Sequence, residues 1–408
     1  MTVLIAGAGI GGLTMALSLH QIGVPCRIFE AVDEIRPLGV GINVQPHAIK
    51  ELTDLGLLQR LDQIGLRTAE VGYFSSHGAR IWAEPRGTAA GYKWPQFSIH
   101  RGHMQTLLLD VVRERLGPDA VRTGAAVNGW TETDDKVTVH LATGENVEGD
   151  IFVAADGIHS AARAHLFPDE GAPIWNQILM WRGTTWAKPF LTGRSMAMVG
   201  CKNRKFVCYP IGERDDQVLV NWIADRLFPA DHAWNREDWN RVGSADDLLP
   251  DFGGWSFDWL DIPGLIRNAE QILEWPMIDR DPLPRWTHGR MTLLGDAAHP
   301  MYPIGSNGAS QAILDARVLA REIRDKGAGI PALNAYDADR RPKTSAIVLA
   351  NRGDGPDKVL DIVEERAPDG FQNLDDVITN DELTAIAARY KATAGMDVDT
   401  LNNAPGIL

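Results

Sequence analysis

Residues 2–19 of this 408-residue chain read TVLIAGAGIGGLTMALSL, an uncharged and largely apolar run. It could pass for a secretory core or a membrane span. A signal peptide, however, wants a basic leading segment and a small-residue cleavage site, and a spanning helix wants about 20 apolar residues with few breaks. Neither is present, and four glycines, Gly7, Gly9, Gly11 and Gly12, interrupt the run. Residues 2–6 (TVLIA) are apolar, partly β-branched and stop at glycine, which predicts a short buried strand. Leu13, Ala16, Leu17 and Leu19 through Ile22 predict a helix ending at Gly23, and residues 26–30 (CRIFE) a second strand. This is a βαβ unit with Gly7-x-Gly9-x-x-Gly12 between its first strand and its helix. Gly7 permits the tight turn, Gly9 lets a pyrophosphate approach the backbone, and Gly12 allows close helix–strand packing. The helix N-terminus, with Ile10 and Gly11, adds free N–H groups and a positive dipole end. Glu30 ends the second strand where an acid would bond a ribose hydroxyl. A plain structural glycine turn does not call for that acid. The motif leaves NAD and FAD equally open.

Composition narrows the rest. With 40 Lys and Arg against 54 Asp and Glu, the net charge of −14 disfavours a nucleic-acid partner, which needs clustered positive charge. At 44% hydrophobic and 23% charged the chain is ordinary globular protein, long enough for two or three domains. Three scattered cysteines, Cys26, Cys201 and Cys208, fit neither a disulfide scaffold nor a zinc site and suit a reducing cytoplasm. No metal cluster and no membrane span is expected.

Further along, Met104, Leu107, Leu108, Val111, Val112 and Leu116 predict a helix over 102–116, and Val137, Val139 and Leu141 alternate as a half-buried strand. Residues 151–155 (IFVAA) read as a fully buried strand. Ten of the 13 tryptophans lie between Trp175 and Trp286, among strand-like runs (FVCYPI, QVLVNWI), so this stretch reads as a separate sheet-rich domain. From Arg290 the earlier pattern returns: MTLLG as a buried strand, a glycine-rich turn, and helical periodicity over 311–324. Two more helices are expected over 357–366 and 381–394.

Two further acids leave buried strands. Asp156, in Ala155-Asp156-Gly157-Ile158-His159-Ser160, needs donors, since a charge at the end of a buried strand is costly; an Asx-turn or helix cap would also supply them. Asp296, in Leu294-Gly295-Asp296-Ala297-Ala298-His299-Pro300, is placed to accept a bond from a sugar-alcohol hydroxyl. It is followed by Pro303-Ile304-Gly305-Ser306-Asn307-Gly308, a turn opening a second helix whose N-terminus can face an anionic ring system.

Together, GAGIGG with Glu30, AADGIHSAAR and LLGDAAHPMYPIGSNGASQAILDA, in this order, resemble the FAD-dependent aromatic hydroxylases of the para-hydroxybenzoate hydroxylase type, from residue 1 to about 350. The turn PIGSNGASQAILD and the tail EERAPDGF look most like the phenazine hydroxylases (5-methylphenazine-1-carboxylate 1-monooxygenase type). Many family members carry a GQGxN-like turn where this chain has Gly305-Ser306-Asn307-Gly308.

The resemblance implies an α/β fold: a Rossmann-like FAD-binding domain (1–75, 100–172 and 270–350), an inserted β-sheet substrate domain (76–99 and 173–269) and a C-terminal helical extension (351–408). It implies that Gly7, Gly9, Gly12 and Glu30 hold the ADP half of FAD, that Arg101 meets the phosphates with Gln105 one turn later, and that Asp156 contacts FAD and reduced nicotinamide. Gly295 and Asp296 would hold the ribityl chain, and Gly39 to Asn43, with Gly41 and Ile42, would flank the flavin ring beside Pro303 and Gly305 to Gly308. Arg101 read by itself is equally a solvated helix end. The implied reaction is NADH- or NADPH-consuming: dioxygen adds to reduced flavin, and the C4a-hydroperoxide hydroxylates an aromatic or heteroaromatic ring. The helix opening at 305–308 would stabilise negative charge on the reduced ring, and a dry pocket would protect the peroxide. The chemistry is cofactor-borne, so no triad is expected, and His299 is structural.

Substrate-pocket candidates are Met180 to Arg182, Tyr209, Trp222, Tyr302 and Pro303, on strands of the sheet-rich region or beside the flavin turn; each is also a plausible core residue. A flavoprotein of the same fold with another outcome, such as a dehydrogenase, and a non-catalytic FAD-binding sensor stay open. A halogenase would carry a WxWxIP-like segment, which this chain lacks, and a disulfide reductase needs a close cysteine pair that Cys26, Cys201 and Cys208 do not form. Monomer and homodimer are both compatible.

Overall fold

The computed structural model describes residues 1–37, 39–232, 241–353 and 355–408. Of the tryptophan-rich stretch, Trp234 and Trp239 fall outside the described residues.

The apolar run at 3–6 forms the strand Val3–Ala6, buried at every position. It pairs in parallel with Ile151–Ala154 on one side (Val3 opposite Ile151) and with Cys26–Phe29 on the other (Val3 opposite Cys26). Met291–Leu293 extends the sheet in parallel beyond Ile151–Ala154. Such strands are apolar on both faces because helices cover both. The expected helices are present as Ile10–Gln21, Arg101–Leu116 and Gly308–Lys326, and Ile330–Ala350 adds one that was not anticipated.

The second sheet is a seven-stranded one: Ile272–Asp279, Ile174–Ala187, Gln217–Leu227, Arg204–Arg214, Ser195–Cys201, Glu70–Phe74 and Arg80–Pro85, in that spatial order. All its neighbours are antiparallel except Ser195–Cys201 with Glu70–Phe74. Glu70–Phe74 and Ile272–Asp279, which the sequence places with the cofactor part, therefore belong to this sheet by pairing. Gln96–His100, placed with the substrate part up to residue 99, instead pairs with Gly41–Val44 and Gly65–Thr68. Short strands take their partners from register, which local composition does not encode.

The tail forms Lys358–Arg366 and Asn380–Thr393, and Val359, Leu360, Val363 and Leu383 join a core with Val71, Met196 and Tyr209 of the large sheet. No helix of the described residues is long and apolar enough to cross a membrane.

Candidate functional site

Between the two sheets lies a cavity of about 350 Å³. One wall is a set of loops. Gly7 has φ +96°, and a Cβ there would sit on the Ala155 carbonyl oxygen; a Cβ on Gly12 would sit on the Gly7 carbonyl oxygen. Both glycines are required by the protein's own packing. Gly9 differs: its φ of −74° is open to any residue, and a Cβ there would meet nothing within 4 Å. Gly9, Ile10 and Gly11 line the cavity. Glu30 and Gln105 do not line it but brace the loop. The Ala8 N–H donates to Glu30 Oε2 (2.7 Å), and Gln105 Nε2 donates to the Ala8 carbonyl (2.8 Å), so this peptide is held at both ends.

Asp156 leaves its strand and caps a helix: its Oδ2 accepts from the Ala161 N–H at 2.9 Å. Its Oδ1 is buried without a partner, and burial pushes its pKa up. Ala155 and Gly157, on either side, line the cavity.

The loop 295–308 rests on a buried ionic frame. Asp315 Oδ2 accepts from His299 Nε2 (2.5 Å) and the Gly295 N–H (3.1 Å), and Asp315 Oδ1 accepts from Arg340 Nε (2.7 Å). Burial pushes the Asp315 carboxyl up, but His299 and Arg340 outweigh it and hold its pKa below the ordinary value. Arg340 Nη2 also donates to Gln311 Oε1 (2.5 Å), whose Nε2 lies 3.3 Å from His47 Nε2. His299 therefore orients a loop. Asp296, one residue past Gly295, is exposed and lines the cavity; burial by the surrounding protein pushes its pKa up against the pull of His299 and Arg101.

Gly295, Pro303, Gly305, Ser306, Asn307 and Gly308 line the same wall. Gly305 (φ +73°) and Ser306 (φ +54°) are both left-handed, a costly conformation for serine. Tyr390, from the tail, seats this turn: Asn307 Nδ2 donates to its hydroxyl at 3.2 Å, and a Cβ on Gly305 would strike the same hydroxyl. The helices Ile10–Gln21 and Gly308–Lys326 both begin here with no acid in the first turn, so two positive dipole ends meet at one cavity. Arg101 also lines it, and its guanidinium makes no hydrogen bond or ion pair with the described residues. Cationic and N–H donors around an open glycine approach fit an anionic dinucleotide.

The opposite wall is one face of the large sheet, and strand alternation decides which residues reach it. Met180 and Arg182 line the cavity while Trp181 between them joins the core behind; Ile223 and Asp225 line it while Trp222 does not. Trp222, a pocket candidate in the sequence, is thus a core residue: fully buried, stacked on Phe206, with Nε1 donating to Thr185 Oγ1 at 3.1 Å. Tyr302 likewise packs with Ile178, Met180 and Met277, and its two neighbours Met301 and Pro303 reach the cavity instead.

Tyr209 and Arg182 both reach it, and both donate to the Gly41 carbonyl at 2.8 Å, which ties the sheet to the loop Gly41–Val44. Burial pushes the Tyr209 phenol up to about 12 and the Arg182 guanidinium down. Five of the chain's ten methionines, Met180, Met196, Met198, Met277 and Met301, line this cavity, a soft surface suited to aromatic rings. Sequence reasoning named Met180 but missed the other four, and missed Lys205, Asp225 and Asp357, which meet at the cavity edge. Lys205 was accessible to it: from Tyr209 in FVCYPI, stepping back by two gives Val207 and Lys205, the same-face neighbours.

A Rossmann-like sheet, a glycine-rich loop at a helix start and a second sheet closing one cavity define a dinucleotide-binding oxidoreductase. A family model described as an FAD binding domain matches residues 1–214 and 261–350. The chain is 49% identical to the phenazine 1,6-dicarboxylic acid hydroxylase of Lysobacter antibioticus over 86% of this chain and 89% of that one. It resembles Klebsiella pneumoniae HpxO, solved with FAD and uric acid, with TM-score 0.75 and 25% identity over 99% of this chain and 97% of that one. It also shares the fold of a salicylate hydroxylase substrate complex, TM-score 0.76 and 22% identity over 100% and 99% of the two chains. The chain belongs to this FAD-binding family and is an FAD-dependent monooxygenase of the aromatic hydroxylase class.

Proposed function

We propose that the loop wall holds FAD and the sheet wall holds a small aromatic or heteroaromatic substrate, so that one cavity brings ring and cofactor together. The observation that carries this reading is the continuity of the cavity: the glycine loop, the 303–308 turn and the methionine face line the same space. Bound FAD supplies the redox chemistry, taking a hydride from NADH or NADPH and activating dioxygen for hydroxylation.

The chain's own residues bind and orient. The backbone at Gly9 to Gly11 and the Arg101 guanidinium would receive the pyrophosphate, with Gly7 and Gly12 setting the loop. Glu30 accepts one backbone N–H on each carboxylate oxygen, from Ala8 and Val32, and keeps lone pairs for a ribose hydroxyl. Asp296 accepts from the ribityl chain. Gly41 and Ile42 would lie beside the flavin ring, and the N–H groups at Gly305 to Gly308 would supply donors to it. The methionines exclude water from the ring opposite. Gln105 and Asp156 act through the loops they hold.

We further propose three structural parts: a cofactor body built on the parallel sheet, a substrate part built on the seven-stranded sheet and including 70–74 and 272–279, and the extension 351–408. A cytoplasmic location suits the three thiols, which are unpaired in the structure.

The test is direct. Purified protein should be yellow, its flavin should be reduced anaerobically by NADH or NADPH, and an aromatic substrate should accelerate that reduction and, in air, appear hydroxylated by mass spectrometry. Reduction with no oxygenated product from a panel of phenolic, pyridine and phenazine acids counts against the substrate assignment.

A further inference from the structure

Asp225 is 3% exposed and lines the cavity, yet its Oδ1 has no hydrogen-bond partner. Its other oxygen lies 3.4 Å from Lys205 Nζ, while that ammonium is closer, at 2.6 Å, to Asp357 Oδ2. One cation against two carboxylates leaves the cluster at a formal −1. A buried carboxylate oxygen without a donor costs free energy that a donor from the occupant recovers.

Strand register places a second unmatched group nearby. Asp225 stands opposite Met180 on one neighbouring strand and Lys205 on the other, and Arg182, two residues along from Met180, stands opposite Ile223. Asp225 and Arg182 are thus diagonal neighbours on one face, roughly 7–8 Å apart. Arg182 also lines the cavity, and its Nε is buried without an acceptor. Between the two lie Met180 and Ile223, both apolar. The face offers an acceptor at one corner, a donor at the other and grease between.

We infer that Asp225 is a specificity-determining residue: it accepts a hydrogen bond from a hydroxyl or N–H group on the aromatic substrate, whose acceptor end lies toward Arg182. This rests on the sheet wall being the substrate wall. Lys205 positions the carboxylate, and Asp357, contributed by the segment that follows the 330–350 helix, holds Lys205 in place. The tail is by this reading part of the recognition surface.

The experiment uses holoenzyme and a matched pair of probes, 6-hydroxy-2-naphthoate and 2-naphthoate, which differ only in a donor distal to the carboxylate. Binding is followed by perturbation of the flavin absorbance. The wild type is expected to bind the hydroxylated probe about tenfold to a hundredfold more tightly, the range for a hydrogen bond to a charged acceptor. Asp225→Val should bring the two probes within about twofold, and Asp357→Asn, which leaves the acceptor in place, should keep most of the preference. Asp225→Asn, the milder change, should lower the preference at least about threefold if the valine variant does not retain flavin. Equal binding of both probes by the wild type, or a preference that survives Asp225→Val, overturns the inference while leaving the substrate wall standing. A yellow protein whose spectrum neither probe perturbs overturns the substrate wall itself and the inference with it.

Discussion

The loop wall of the cavity is written in backbone and the sheet wall in side chains, and they differ in how much the protein's own packing asks of each position. On the loop wall, Gly7 and Gly12 are fixed by carbonyl groups of the chain itself, and Ala8 is held at both ends by Glu30 and Gln105. On the sheet wall, neighbours in sequence face opposite ways: Trp222 is core and Ile223 is cavity. A glycine motif therefore announces itself at fixed spacing, whereas a strand announces only that one of its two faces matters. The contrast can be broken by substitutions that act on one wall and spare the other.

The largest effect is expected at Gly12. A valine there would place its Cβ on the Gly7 carbonyl oxygen, with Ile5 Cγ2 3.4 Å away, and neither can retreat from the central strand. Overpacking of this kind costs about 3 kcal/mol. Gly12→Val should come off the column colourless and melt well below the wild type by calorimetry. A yellow, equally stable variant would show that the loop is not held as the structure has it.

The next effect is a pH dependence beneath the loop wall. Burial, and after it the charge of Arg340, pushes His47 down to about 3 from an ordinary 6.5. The folded protein holds this imidazole neutral, so its contribution is intact above pH 6.5 and declines as pH falls toward 3, by about 2 kcal/mol at pH 5. Denaturant midpoints at pH 7.5 and 5.0 should therefore move further apart in the wild type than in His47→Leu. The depressed Asp315 carboxylate gives up its contribution only below the ordinary carboxylate range. The raised carboxyls, Asp225 and Asp296 among them, are common to both proteins and cancel in the difference.

On the sheet wall, Trp222→Phe should cost about 1 kcal/mol, through the lost bond to Thr185 and part of the stack on Phe206. It should leave the affinity for 6-hydroxy-2-naphthoate unchanged. Ile223→Ala, one residue on, should weaken that affinity. If Trp222→Phe weakens binding as much as Ile223→Ala, alternation is not what sorts this strand.

These expectations also show what could be read from the residues alone. The strand at 3–6, the helix after it, the strand at 151–154 and the turn at 303–308 were legible because each requires a residue type: β-branched and apolar, glycine, or an acid leaving a buried strand. Most of the residues named for the site line the cavity, among them Gly9, Arg101, Tyr209, Asp296 and Gly308. What was not legible depends on pairing. Nothing in EVGYF says that it joins Ser195–Cys201, and nothing local to Trp222 says which side of the sheet it takes. Asp357 is farther still from view, because it meets Lys205 across 152 residues of sequence.

The smallest effect on stability is expected at Gly9, and it sharpens the comparison most. Gly9 lies three residues from Gly12 in the same motif, but it has an ordinary φ of −74° and empty space where a Cβ would stand. No feature of the folded chain accounts for a glycine there. Gly9→Ala should lower stability by less than about 1 kcal/mol, the cost of replacing a glycine N-cap by alanine. The added methyl would nevertheless occupy the approach assigned to the pyrophosphate, and a clash of even 1.4 kcal/mol lowers affinity about tenfold. FAD titration of the apoprotein, with Gly12→Val as the unstable counterpart, separates the two roles. A stable Gly9→Ala with undiminished FAD affinity would move the cofactor off this wall, because the only demand left to explain the glycine is the ligand's.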